Sequence, residues 1–192
     1  MLIKKIAILF SGTGSNLEKL LEFLYQTSFE HAKIEVALTI CNRPDAQGIE
    51  KARRFGLEPL IIDHTRYASR EAFDEALVEA IAQSGAELTV LAGFMRILTP
   101  IFTRHVKAIN LHPSLLPLFK GGNAIQESFD SPMKVAGISV HYVSEELDGG
   151  DIIAQRCFTK YEGMSFEAFE NKIHALEHEL LPQTVKNLLD KK

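Results

Sequence analysis

The chain has 192 residues, 46% hydrophobic and 24% charged, with a formal net charge of -4; these are the proportions of one globular domain with room for a substantial core. The weakly acidic balance argues against a nucleic-acid surface and leaves room for a small phosphorylated ligand, which needs only a few local donors. Cys41 and Cys157, far apart and without metal or redox spacing, read as reduced residues of a cytoplasmic protein.

In chain order, Lys4-Lys5 before an apolar run imitates a secretory leader, but the run is short and ends in Ser11-Gly12, so residues 3–10 read as a buried first strand. Leu17, Leu20, Leu21 and Leu24 follow at helical spacing. Further short apolar runs at 34–41, 60–63, 88–92 and 108–111 alternate with helical or turn-rich segments, of which 69–83 repeats the helical period through Phe73, Leu77 and Ile81 and stops at Gly85. Beyond Pro117 a glycine-containing loop leads to an alternating strand at 135–143, a turn at Asp148-Gly149-Gly150 and a strand at 151–158, an antiparallel edge hairpin. Phe166, Phe169, Ile173, Leu176, Leu180 and Leu181 mark a long C-terminal helix, with Pro182 as an expected kink. The fold expected is α/β, an open, mostly parallel Rossmann-like sheet with an antiparallel edge hairpin and a long C-terminal helix, in one domain over 1–192. Ligands in such sheets bind outside the carboxyl ends of the strands. No stretch approaches the roughly 18 apolar residues of a membrane span.

The loop Ser11-Gly12-Thr13-Gly14-Ser15-Asn16 joins the first strand to the first helix, where backbone amides and the helix dipole favour a phosphate. It starts as G-x-G-x-x but continues to Leu17, and the second strand ends in Cys41-Asn42 without a ribose-binding acid, which weakens a dinucleotide reading. A plain tight turn, with Ser15 or Asn16 capping the helix, is the bland alternative. Asn110 and His112, two apart at a strand's carboxyl end, project to one face and can bind a carbonyl that becomes an oxyanion, with the imidazole also moving a proton. Ser114 faces the other way and no G-x-S-x-G elbow exists, so the nucleophile belongs to the substrate. Asp148, set in a glycine turn, would favour the imidazolium if it reaches His112. A structural Asn and His beside an ordinary Asp-Gly turn fit the same residues.

Four segments carry a resemblance: residues 11–16, Ala92-Gly93-Phe94-Met95-Arg96-Ile97-Leu98, Asn110-Leu111-His112-Pro113-Ser114-Leu115-Leu116-Pro117, and Leu147-Asp148-Gly149-Gly150. The third is similar to the folate-dependent formyltransferase superfamily at large, and the first resembles its glycinamide ribonucleotide branch. The resemblance implies attack by the amine of glycinamide ribonucleotide on the formyl group of 10-formyltetrahydrofolate in purine synthesis, without a metal. It implies that Asn110 holds the formyl oxygen, His112 donates the proton and Asp148 raises the histidine pKa. Gly12, Gly14, Ser15, Asn16, His174 and Glu177 would bind the ribonucleotide. Arg70, Met95, Arg96, Ile97, Leu98, Asn110, Ser144, Glu145, Glu146, Leu147 and Asp148 would bind the folate. Residues 1–112 would form the Rossmann-like, ribonucleotide-binding half and 113–192 the folate-binding and C-terminal half. Partners would be the two small substrates, with no nucleic acid or membrane, and the state a monomer or weak homodimer. The chain departs from the family pattern at Asn123 and Ile125, in a loop where many relatives carry a histidine, and at Thr13, which replaces a frequent Asn.

Three other readings have distinct signatures. His174-Ala175-Leu176-Glu177-His178 fits H-x-x-E-H, yet a catalytic zinc needs a third ligand that the remaining chain scarcely offers. A hydrolase would use water as acceptor, against which the phosphate loop speaks. A non-enzymatic nucleotide sensor would bind without turnover.

Overall fold

The computed structural model describes residues 2–191. Among the described residues, seven strands and six α-helices follow in the order β1 (Leu2–Phe10), α1 (Ser15–Gln26), β2 (Ala32–Cys41), α2 (Gly48–Arg54), β3 (Leu60–Ile61), α3 (Arg70–Ser84), β4 (Leu88–Leu91), α4 (Pro100–His105), β5 (Ala108–His112), α5 (Ala124–Asp130), β6 (Val135–Tyr142), β7 (Ile152–Thr159) and α6 (Phe166–Leu189). They form one sheet in the order β3-β2-β1-β4-β5-β6-β7. The first five strands pair in parallel, and β6 and β7 add antiparallel to that edge, as the alternating pattern after Pro117 implies.

Central β1 shows why the sheet forms. Ile6, Ile8 and Phe10 face one side with Leu17, Leu21, Phe169 and Leu181 from α1 and α6, while Ala7 and Leu9 face the other with Phe73, Leu77 and Phe102 from α3 and α4. From Ile6 to Phe10 the strand is buried on both faces and therefore needs an apolar residue at every position, which accounts for the unbroken run after Lys4-Lys5.

Strand ends differ from the sequence reading by a residue or two. The third strand shrinks most, because Asp63 turns from pairing to accept the N–H and hydroxyl of Thr65 in a 3₁₀ turn at His64–Arg66. Pro182 does not end the helix: α6 continues as one element from Phe166 to Leu189. An interior proline costs about 3 kcal/mol, and burial of Leu181 and Val185 beside it returns about 1.5–3 kcal/mol per side chain. The far end of α6 is tied down by Asp190, whose carboxylate accepts backbone N–H groups of Glu30, His31 and Ala32 at 2.7–3.1 Å.

Candidate active site

The carboxyl end of β5 presents Asn110 and His112, and the β6–β7 connection folds Asp148 back over them. Antiparallel pairing carries the end of β6 past Asn110 to the start of β5, where the Val143 N–H donates to Ala108 O at 2.9 Å, and the connection then doubles back to bring Asp148 to Asn110 and His112. Asp148 adopts φ 49°, a left-handed conformation that aspartate tolerates better than most residues, followed by two glycines. Its Oδ2 lies 3.4 Å from His112 Nδ1 and accepts the Gly121 N–H at 2.9 Å. Asn110 Nδ2 stands 3.5 Å from Asp148 Oδ1. The spacing of residues 110 and 112 and the glycine turn thus meet as expected.

His112 Nε2 donates to the Phe119 carbonyl at 2.8 Å. Both ring nitrogens therefore face oxygen, which fixes the orientation of the ring. Burial opposes ionisation of Asp148, but the His141 ring, the Gly121 N–H and the nearby His112 outweigh it and hold the carboxyl below its ordinary range. Ser114 is no nucleophile here: it is fully buried and its hydroxyl donates to Leu118 O at 2.6 Å.

Sequence reasoning missed His141. It opposes Asn110 in the β5–β6 register, with Nε2 at 3.2 Å from Asn110 Nδ2 and 3.6 Å from Asp148 Oδ1, and Nδ1 against the Tyr142 carbonyl at 2.9 Å. Its one signal was a lone histidine in the alternating strand at 135–143; without the register nothing tied it to Asn110. Gly121 and the Phe119 carbonyl were missed as well, because backbone groups leave no mark on residue type.

Asn110, His112, His141 and Asp148 line a cleft of about 420 Å³. Phe94, Met95, Arg96, Ile97 and Leu98 line it, as do Ser144, Glu145, Glu146 and Leu147. Met95 is 77% and Ile97 56% exposed, apolar surface suited to a flat ring. Arg70 does not line this cleft; it opens α3 as an exposed residue behind its cap, Ser69. Asn123 stands before α5 without a side-chain cap bond.

Across the sheet end, the first loop enters α1 with Gly14 at the N-cap position and no side-chain cap, while Ser15 is already helical. This corrects the reading in which Ser15 or Asn16 caps the helix, and it leaves the first-turn amides free of side-chain acceptors. Gly14 has φ 70° and a Cβ there would meet the Gly48 Cα at 2.6 Å, so no other residue fits without strain. Glu177, buried on α6, accepts from Asn16 Nδ2 at 3.4 Å and pairs with His174 Nδ1 at 2.8 Å. That bond raises the His174 pKa against the opposing effect of burial, whereas burial lowers that of His178. In the H-x-x-E-H segment, Glu177 is thus occupied by His174, and no group of three or more His, Cys, Asp or Glu among the described residues is placed to hold a metal.

An open, mostly parallel sheet that brings an amide, an imidazole and a carboxylate together in a largely apolar cleft, with Ser114 buried away from it, has the make-up of a group-transfer enzyme. Residues 4–185 match the family model "Formyl transferase". The crystal structure of phosphoribosylglycinamide formyltransferase from Campylobacter jejuni subsp. jejuni is 60% identical, superposes with a TM-score of 0.94, and covers 97% of this chain and 98% of its own. Phosphoribosylglycinamide formyltransferase of Bacillus subtilis is 39% identical over 189 residues, 97% of this chain and 95% of its length. The trifunctional purine biosynthetic protein adenosine-3 of Gallus gallus is 39% identical over 185 residues, and there the match spans only 18% of the longer protein. The chain belongs to the formyl transferase family, in its phosphoribosylglycinamide formyltransferase branch.

Proposed function

We propose that the enzyme joins the amine of 5-phosphoribosylglycinamide to the formyl carbon of 10-formyltetrahydrofolate, as a cytoplasmic monomer or weak homodimer that uses no metal. The amine nitrogen attacks the carbonyl carbon, the tetrahedral adduct forms, and the bond from that carbon to the folate nitrogen breaks. The proton lost by the amine ends on the departing nitrogen. Asn110 Nδ2 holds the formyl oxygen, and His112 stabilises the developing oxyanion and carries the proton. Asp148 favours the charged imidazole and fixes its orientation.

The observation that carries this reading is the meeting of His112, Asn110 and Asp148 in a cleft that Phe94, Met95, Ile97 and Leu98 also line. Met95 to Leu98 and Ser144 to Asp148 grip the folate, with Arg70 reserved for the more distant part of that molecule. Gly12, Gly14, Ser15 and Asn16 hold the phosphate, and Glu177 and His174 bind the ribose side. The halves 1–112 and 113–192 then interleave, since residues 95–98 serve the folate and 174–177 the ribonucleotide. The deciding measurement is consumption of 10-formyltetrahydrofolate with and without the ribonucleotide. Acceptor-dependent turnover is expected; equal formate release in both cases would mean a hydrolase instead.

A further inference from the structure

The two proposed half-sites lie on different strand ends, the phosphate loop after β1 and the apolar segment after β4, and one buried hydroxyl joins them. Ser11, 2% exposed, is the first residue beyond β1. Its N–H donates to Gly93 O at 3.1 Å, and its Oγ accepts the Met95 N–H at 2.8 Å while donating to Asn42 Oδ1 at 2.6 Å. Asn42, 1% exposed, is the first residue beyond β2, and its Nδ2 lies 3.2 Å from His64 Nδ1 in the turn after β3. Four neighbouring strand ends are tied at this point. Neither Ser11, Asn42 nor His64 lines the cleft that holds Asn110, His112 and Asp148.

We propose that Ser11, held by Asn42, is a positioning residue that sets the separation of the two substrates' reacting atoms. The inference rests on the assignment of residues 12–16 to the ribonucleotide and 95–98 to the folate. Transfer requires the amine and the formyl carbon to approach within about 3–3.5 Å, and a misplacement of about 1 Å costs about 10²-fold in rate. A hydroxyl that donates to one fixed partner and accepts from another has a single orientation, so it transmits the position of one loop to the other. Alanine at residue 11 strands the Met95 N–H and the buried Asn42 Oδ1 and frees the two loops to shift, without altering a side chain of either half-site.

The test compares Ser11→Ala, Ser11→Thr and Asn42→Ala in three measurements. These are the Kd for glycinamide ribonucleotide alone, the Kd for tetrahydrofolate alone, and the single-turnover rate with 10-formyltetrahydrofolate; thermal midpoints establish folding. Ser11→Ala is expected to slow the single turnover by about ten- to a hundredfold while each Kd moves less than about threefold. Ser11→Thr, which keeps the hydroxyl, recovers most of the rate, and Asn42→Ala falls with Ser11→Ala. A Ser11→Ala rate within about twofold of the parent, or an equal loss in Ser11→Thr, overturns the proposal. If Ser11→Ala fails to fold, Asn42→Ala decides by the same criterion. Gly14→Ala and Met95→Ala test the underlying assignment separately. They should weaken the ribonucleotide and the folate respectively; unchanged affinities in both remove the assignment, whereas weakened affinities with an unaffected Ser11→Ala rate remove only the positioning role.

Discussion

At the scale of the residue, His112 and Asp148 share a buried site in which each compensates the other. The carboxylate is desolvated, yet it has the Gly121 N–H and two imidazoles around it. Asp148→Asn and His112→Ala are expected to lower kcat by about 10²–10⁴-fold, the usual contribution of a positioned proton carrier, with circular dichroism unchanged. The depressed Asp148 pKa has a linked consequence for stability. A carboxyl that is more acidic when folded contributes stability above its unfolded value, and this is lost as pH falls through the lower folded value. Urea unfolding of the parent should therefore weaken on acidification below about pH 4 more steeply than that of Asp148→Asn. For His174 the sign reverses: its raised pKa contributes stability below about pH 6.5 that fades as pH rises through the folded value. The stability difference between the parent and His174→Gln should accordingly be larger at pH 6 than at pH 9 in the same assay.

At the scale of the element, the apolar segment after β4 is held at both ends. Ser11 anchors Gly93 and Met95, and at the other end Asp74, buried on α3, accepts the Thr99 N–H at 2.5 Å where α4 begins. Burial pushes the Asp74 carboxyl up, so its tie to Thr99 serves position at some cost in solvation. Asp74→Ala leaves that N–H without its acceptor and is expected to cost about 1–3 kcal/mol in chemical denaturation. Amide exchange should rise across residues 95–99 and the folate KM should increase, while the ribonucleotide KM holds. Of these elements, the strands and the helices α1, α3 and α6 were legible in hydrophobic period alone. The short helices α2, α4 and α5 were not, because seven or fewer residues give too few turns for a period to show.

At the scale of the whole molecule, the sheet order places three separate stretches of chain at the carboxyl ends of the parallel strands: residues 11–16 after β1, 93–98 after β4, and 110–112 of β5, over which Asp148 folds. Asp190 closes the far side by fastening α6 to the start of β2, remote from that chemistry. Asp190→Ala is expected to lower the urea midpoint with kcat unchanged, a contrast with the active-site variants. What the sequence determined by itself was whatever local chemistry writes into residue type: buried strands as unbroken apolar runs, Asn110 and His112 on one face through the two-residue period, and a glycine turn able to hold Asp148. What only the tertiary structure decided was everything set by pairing across the chain. His141 meets Asn110 through antiparallel register, Ser11 reaches Met95 and Asn42 because their strands are neighbours, and α6 continues through Pro182 with Leu181 and Val185 buried in the core beside it. Contacts between residues far apart in sequence follow from strand order and register, and those arise only when all the strands compete for one core.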